Sequence, residues 1–400
     1  MMRSLLLLFK ILLIKKSYLV NYDKYDVVIN IPNNNYLPNK HNQNYNLIDY
    51  LIKEFNVNFN IFHSLKHQDI VRGHYKINYI NNFFPLTFIQ KIYLFFFALY
   101  QIVIFLLKLF ILKFNNIFLF NEIIINKQVK LFNTNNNLAN NYFFIFPTVS
   151  FRPIWTYFAE SQKSNIFYIN FSSGFYGLKN IITKQYPKQI GFGLKCMTWK
   201  NYIVDKQIYF NFLQTTYPDK SFILSNNLIN LSDSGQKITN IDNGKYTIAL
   251  FDVSPIRKFL RIGVLPQDSF RETEIAIQLL KDIHDLKIKY DLNILFKKKR
   301  DQIPRDCKRY HNFVRHLTFH QVDPNVSSAR LASFCDLIIS VPFTTTAFHK
   351  NKYNNVNSVF YSPMKIVSNS DRASQNLPII SGKKNLENFL INQIKVKSNV

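Results

Sequence analysis

The residues from Asp336 to Phe348, DLIISVPFTTTAF, have types and spacing that suit chemistry. Leu337, Ile338 and Ile339 form an apolar run the length of a short buried strand, and Pro342 stops it. Phe343 follows, then three consecutive hydroxyl side chains, Thr344, Thr345 and Thr346, with Ala347 and Phe348 opening a helical pattern. A strand, a sharp hydroxyl-bearing turn and a helix start together make a site for an anion. The first helical N–H groups have no partner within the helix, the helix dipole favours negative charge there, and threonine hydroxyls donate to the same oxygens. The plainer reading is a threonine capping an ordinary strand-to-helix turn.

Further candidates stand where other apolar runs end. Tyr246–Val253, YTIALFDV, ends with Asp252 and the Ser254-Pro255 turn, and a basic loop holding Arg257 follows. Leu292–Phe296 runs into the one dense basic cluster, Lys297-Lys298-Lys299-Arg300. Leu317–Val322 ends at Asp323-Pro324, and Leu337–Val341 contains Ser340 and ends at Pro342. Helical patterns lie between and after these strands. Ser269–Tyr290 has Ser269 as N-cap and Glu272 three residues on as a capping box; Ser327–Phe334 and Leu386–Ile394 are shorter. Ser358–Tyr361 adds a fifth strand. Such alternation predicts a doubly wound α/β unit, in which ligands sit beyond the carboxyl ends of the strands.

On that rim a diphosphate would be held by Thr344, Thr345 and Thr346 and by Lys297 or Arg300, whose planar fork of donors matches phosphate. Asp252 or Asp323 would accept from a ribose hydroxyl. The plainer readings are a solvated strand end for the basic cluster and turn stabilisation for the two aspartates. No Walker A motif and no GxGxxG occurs, which disfavours ATP hydrolysis and ordinary nicotinamide chemistry.

The first half reads the same way with weaker signals. Strands are expected at Lys24–Pro32, Phe59–Leu65, Tyr142–Val149, Ile166–Phe171 and Met197–Val204, with helices at Leu47–Phe55, Phe151–Gln162 and Asp205–Leu213. The chain of 400 residues suits two domains, and the polar stretch Asn226–Asn243 is the best linker. The expected domains are 1–235 and 240–400.

From Ile92 to Leu107 the chain runs without a charge, with Lys91 and Lys108 at the ends, inside an apolar region near 86–113. That run is short of the roughly 20 residues a span needs. The favoured reading is a helix lying in the cytoplasmic leaflet with its lysines at the headgroups; a buried core helix and a true span are the alternatives. The formal charge of +26 suits an anionic lipid face or a nucleotide-linked substrate. The basic residues are scattered and no nucleic-acid-binding signature accompanies them, so no specific nucleic acid is expected. Cys196, Cys307 and Cys335 lie far apart, which suits a reducing, cytoplasmic setting without a structural metal.

The arrangement resembles the GT-B architecture of glycosyltransferases. The segments FDVSPIR (251–257), LFKKKRD (295–301), VDPNVSSARLASFCDLIISVPFTTTAF (322–348) and SVFYSP (358–363) look like those of the bacterial polysaccharide-biosynthesis family with the PFTS motif, and WTYFAE (155–160) is similar to its N-terminal half. Pro342-Phe343-Thr344-Thr345 stands where that family has Pro-Phe-Thr-Ser, so Thr345 keeps the hydroxyl and adds a methyl group. The sequence departs from the pattern at Asn354-Asn355-Val356-Asn357, where a Gly-Lys-Pro turn is expected. The resemblance implies a glycosyltransferase of surface-polysaccharide assembly. Its donor would be a nucleotide-activated sugar, and no bound cofactor or metal is implied, because positive side chains and a helix N-terminus take up charge on the leaving phosphate.

An inverting transfer needs a general base for the acceptor hydroxyl. Glu160, near the end of an otherwise apolar helical segment where burial would raise its pKa, is the first candidate, and a solvent-facing glutamate is the plainer reading. His63, His67 and His74 follow without a supporting motif. Two other readings remain: a sugar-nucleotide epimerase of the same two-domain shape, and a non-catalytic membrane-associated polysaccharide-assembly protein.

Overall fold

The computed structural model describes residues 25–30, 45–55, 60–63, 70–73, 75–79, 84–110, 119–145, 152–170, 179, 198–204, 207–225, 244–252, 255, 272–297, 307–323, 326, 331–332, 334–342, 358–368, 371, 374 and 377–398. The chain divides into two compact units: Met1–Asn39, Asn44–Phe171 and Cys196–Asn230 in the first, and Lys40–Gln43, Ser172–Lys195 and Leu231–Val400 in the second. The second unit therefore takes residues 172–195, which the sequence assigns to the first. At Lys179 the physical reason is visible: its backbone N–H donates to Asp371 Oδ2 at 2.8 Å.

The first unit is built on an eight-stranded sheet in the order β3-β4-β2-β1-β5-β6-β7-β8. The strands are β1 (Tyr25–Asn30), β2 (Asn60–His63), β3 (Ile70–Arg72), β4 (Tyr75–Tyr79), β5 (Asn141–Phe144), β6 (Asn165–Asn170), β7 (Asn201–Val204) and β8 (Ser221–Leu224). All neighbours are parallel except the edge pair β3 and β4. Gly73, at φ +60°, opens the turn between those two, a conformation that costs glycine little. Among the described residues the helices of this unit are α1 (Asn46–Glu54), α2 (Phe88–Phe110), α3 (Phe120–Phe132), α4 (Trp155–Ser161) and α5 (Gln207–Thr216).

The two-residue period of β5 explains the heavy aromatic use. Phe143 points to one face, where it stacks on Phe167 at 4.9 Å and meets the edge of Phe55 at the same separation. Tyr142 and Phe144 point to the other face and pack on Trp155 at 5.2 and 5.7 Å. The central strand is therefore buried on both sides, as parallel sheets require.

The second unit carries a six-stranded sheet in the order β11-β10-β9-β12-β13-β14, parallel throughout. Its strands are β9 (Thr247–Phe251), β10 (Asn293–Lys297), β11 (His320–Val322), β12 (Leu337–Ser340), β13 (Ser358–Ser362) and β14 (Ile379–Ser381). Its described helices of eight residues or more are α6 (Thr273–Tyr290), α7 (Lys308–Arg315) and α8 (Lys383–Ser398). Every residue of β9, β12 and β13 is buried, and α6 covers them with Ile275, Leu279, Ile283 and Leu286. Within this core the buried Asp282 of α6 accepts from Tyr361 Oη of β13 at 2.5 Å and from Gln278 Nε2 at 2.9 Å. A buried carboxylate is tolerable when hydrogen-bonded in this way, and it pins α6 to one register on the sheet.

The chain is an α/β protein with two parallel sheets, as its strand and helix pattern predicts. The start of α6 differs from expectation: Glu272 is the N-cap residue itself, in extended conformation, and makes no side-chain cap bond. The capping box among the described residues is instead at α2. There Thr87 N–H donates to Gln90 Oε1 at 2.9 Å, and Gln90 N–H donates to Thr87 Oγ1 at 3.3 Å. Cys307 and Cys335 are buried and form no disulfide among the described residues.

Candidate functional site

The chain enters the second sheet at β9, moves outward through β10 and β11, then crosses back to the other side of β9 with β12. The winding reverses between β9 and β12, and at such a reversal the loops leave in opposite directions and open a crevice at the carboxyl edge. Register places specific residues there. Phe251 pairs with both Lys297 and Ser340, and Lys297 pairs with Val322. Asp252, Lys297, Asp323 and Val341-Pro342 therefore lie on one edge, and Asp252 and Pro342 flank the reversal itself. Ser254, Arg257, Arg300, Thr344, Thr345 and Thr346 lie outside the described residues.

Asp252 is held from two directions. Its N–H donates to the Lys297 carbonyl at 3.0 Å, joining the ends of β9 and β10. Its Oδ1 accepts from Tyr310 Oη at 2.7 Å. Tyr310 is 1% exposed, and burial first, then the Asp252 charge, pushes its pKa well above the ordinary tyrosine value. The hydroxyl therefore keeps its proton and remains a donor, which fixes the carboxylate at the carboxyl edge beside the reversal. Asp323 is exposed, and its carbonyl accepts from Val326 N–H at 3.0 Å, the turn geometry of the plainer reading.

Ser340 and Pro342 are expected from the sequence to touch a ligand, and here the structure differs. Both are buried, Ser340 to 0% exposure. They form the buried floor of that edge and expose little surface of their own. Ser340 Oγ has no hydrogen-bond partner among the described residues.

Glu160 also departs from expectation. It sits on the last turn of α4, and that end is tied to the amino ends of the strands: Ser164 Oγ donates to the Ala139 carbonyl and Asn165 N–H to the Asn140 carbonyl. Arg152 Nη2 lies 2.6 Å from Glu160 Oε2, off the direction of a hydrogen bond. The same guanidinium donates to Thr156 Oγ1 at 2.8 Å and to the Thr198 carbonyl at 3.1 Å, and lies 4.0 Å from the centre of the Tyr157 ring. A carboxylate that compensates a buried cation at the amino edge is placed for stability and lies away from the carboxyl edge, where α/β sheets bind ligands. His63 is the last residue of β2 and pairs with Ile29 and Tyr79, which puts it on the carboxyl edge of the first sheet, one strand from that sheet's own reversal between β1 and β5. His67 and His74 lie outside the described residues.

Tyr310 is the site residue that the sequence reading lacks. Its helix, KRYHNFVR, has few apolar residues; the signal is the four-residue spacing of Tyr310 and Val314, both buried.

No curated protein matches the chain. Among solved structures it is similar to UDP-GlcNAc 2-epimerase from Neisseria meningitidis bound to UDP-GlcNAc, at 12% identity and TM-score 0.46 over 93% of this chain and 91% of that one. It is similar to a UDP-glucose: anthocyanidin 3-O-glucosyltransferase in complex with UDP, at 10% identity and TM-score 0.42 over 85% and 81%. It is similar to the wall teichoic acid polymerase TagF, at 10% identity and TM-score 0.38 over 100% and 89%. A family model matches residues 104–390, a stretch that includes all six strands of the second sheet and the Pro-Phe-Thr-Thr segment, and the chain belongs to the family of polysaccharide biosynthesis PFTS motif proteins.

Proposed function

We propose that this protein is a GT-B-type glycosyltransferase of bacterial surface-polysaccharide biosynthesis. It moves a sugar from a nucleotide-activated donor to a growing or lipid-linked glycan at the inner face of the cytoplasmic membrane. The observation that carries the reading is the place of the PFTS-type motif: its strand β12 ends at the winding reversal, beside Asp252 and one strand further from Lys297. Family membership in polysaccharide biosynthesis supports the same reading.

In this reading Lys297 and Arg300 take up charge on the leaving phosphate, and Thr344, Thr345 and Thr346 donate hydroxyls to its oxygens. Asp252, oriented by Tyr310, accepts from a ribose hydroxyl. His63 replaces Glu160 as the candidate for the base that deprotonates the acceptor.

The test is thermal stabilisation of the purified chain against UDP-, GDP-, dTDP- and CMP-sugars. A donor at about 100 times its dissociation constant adds roughly 2.7 kcal/mol. A shift with one nucleotide class, lost in Thr345→Val and Lys297→Ala, supports the reading. No shift with any donor sinks it, and conversion of a bound nucleotide-sugar without an acceptor replaces it with an epimerase.

A further inference from the structure

Helix α2 presents an unusual surface. Its 20-residue stretch Phe88–Leu107 is long and apolar enough to cross a membrane, yet little of it is buried. Ile89, Tyr93, Phe96, Tyr100, Val103 and Leu107 run along one side at helical spacing and are 54–67% exposed. At 1.5 Å per residue the stripe is about 30 Å long. Exposed apolar strips of that extent mark an interaction surface.

The opposite side of α2 is seated on its own unit. Leu94 and Ala98 are fully buried. Gln90 Nε2 donates to the Leu131 carbonyl at 2.6 Å and to Thr134 Oγ1 at 3.2 Å, and Lys127 Nζ lies 5.3 Å from the centre of the Phe97 ring. As α2 advances from Gln90 to Phe97, its neighbour on α3 retreats from Leu131 to Lys127, so the two helices run antiparallel. Helix α3 carries Asn121, Glu122, Asn126, Lys127, Gln128 and Lys130. If α2 crossed a bilayer, α3 would enter with it and bring those charges into hydrocarbon, which is costly. The geometry therefore excludes a span and suits a helix lying in the membrane plane.

We infer that α2 is an in-plane anchor, its exposed stripe sunk into the acyl-headgroup boundary of an anionic bilayer. Charge selects lipid over a second copy of this chain. Helix α2 contains no acidic residue, Lys91 stands in its first turn, and the whole chain carries +26. Two such chains repel, whereas anionic headgroups attract. Tyr93 and Tyr100, with apolar bodies and polar tips, are side chains that favour this boundary. The inference deepens the membrane-face part of the proposed function, but it stands or falls separately from nucleotide-sugar binding.

The experiment is flotation of the full-length protein with vesicles of phosphatidylcholine alone and with about a third phosphatidylglycerol. Wild type is expected to float with the anionic vesicles and to be extracted by alkaline carbonate. The variant Tyr93→Ser/Phe96→Ser/Val103→Ser changes exposed side chains only, and its vesicle affinity is expected to fall roughly tenfold or more. The single variant Phe96→Trp is expected to show blue-shifted emission quenched by lipids brominated near the headgroup. Equal flotation of wild type and triple variant, resistance to carbonate, or indole emission of Phe96→Trp that vesicles leave unchanged overturns the inference. So does a lipid-free dimer that the triple variant abolishes. A nucleotide-sugar melting shift measured on wild type and triple variant separates the two readings: its absence with flotation intact removes the transferase and leaves the anchor, and its presence in a non-floating wild type does the reverse.

Discussion

Tyr310 Oη donates a 2.7 Å hydrogen bond to Asp252 Oδ1, so a buried side chain on α7 sets the carboxylate at the end of the central strand β9. Tyr310→Phe removes the donor and leaves the half-buried carboxylate without it. Such a bond to a charged group contributes about 1.5–3 kcal/mol, and a loss in that range is expected in urea denaturation. Affinity for the nucleotide-sugar is expected to fall in the same variant; unchanged affinity would confine Tyr310 to stability and remove Asp252 from the ligand.

Ser340→Ala separates floor from contact. An unpartnered buried hydroxyl is costly, so its removal is expected to leave stability unchanged or raise it by up to about 1 kcal/mol. Donor binding is expected to be unaffected. A variant that folds normally but no longer shows a donor-induced melting shift would return Ser340 to the ligand.

Arg152 and Glu160 are expected to behave as a structural pair. Arg152→Ala strands the carboxylate and the Thr198 carbonyl, and a loss of about 3–5 kcal/mol is expected. Glu160→Gln is expected to cost less and to leave the pH–rate profile of transfer unchanged. His63→Ala, on the carboxyl edge, is the change expected to lower kcat and remove the acidic limb, where protonation silences a base; a lost acidic limb in Glu160→Gln instead would reinstate the glutamate as base.

Stability at alkaline pH follows from the buried Tyr310 and Tyr361 and the half-buried Tyr246. Burial, joined by Asp252 for Tyr310, by Asp282 for Tyr361 and by Asp336 for Tyr246, raises all three above the ordinary 10.0. Above that value the unfolded chain loses protons that the folded chain keeps. The unfolded state then binds fewer protons, and unfolding becomes easier as pH rises. The expected slope is about 1.4 kcal/mol per pH unit for each tyrosine. Tyr361→Phe is expected to lower stability at neutral pH yet flatten the fall above pH 10.0, measured by denaturation at stepped pH.

Much of the architecture is legible locally. Runs such as Thr247–Phe251 and Leu337–Ser340 are apolar but for one hydroxyl residue each, Thr247 and Ser340, which for short segments bounded by turn residues means a strand covered on both faces. Several of the elements missing from the sequence reading lack that periodicity. Helix α7 is mostly polar, β14 has three residues, and β3 and β4 form a short edge pair. Their identity comes from the neighbours they pair with.

The sequence by itself determined the α/β alternation, the strand β12 that precedes the Pro-Phe-Thr-Thr segment, and the apolar length of α2, because strand period and hydrophobic runs act over a few residues. Tertiary structure decided the rest. Strand order brought the ends of β9 and β12 together at the reversal, a pairing between segments nearly ninety residues apart, as the Phe251–Ser340 register shows. It assigned Glu160 to a buried arginine and turned Ser340 into floor. It also laid α3 antiparallel along α2, so that one side of a membrane-length helix is seated on its own unit. Each of these depends on which groups meet across the fold, and neither pairing nor burial is a property of a residue and its immediate neighbours.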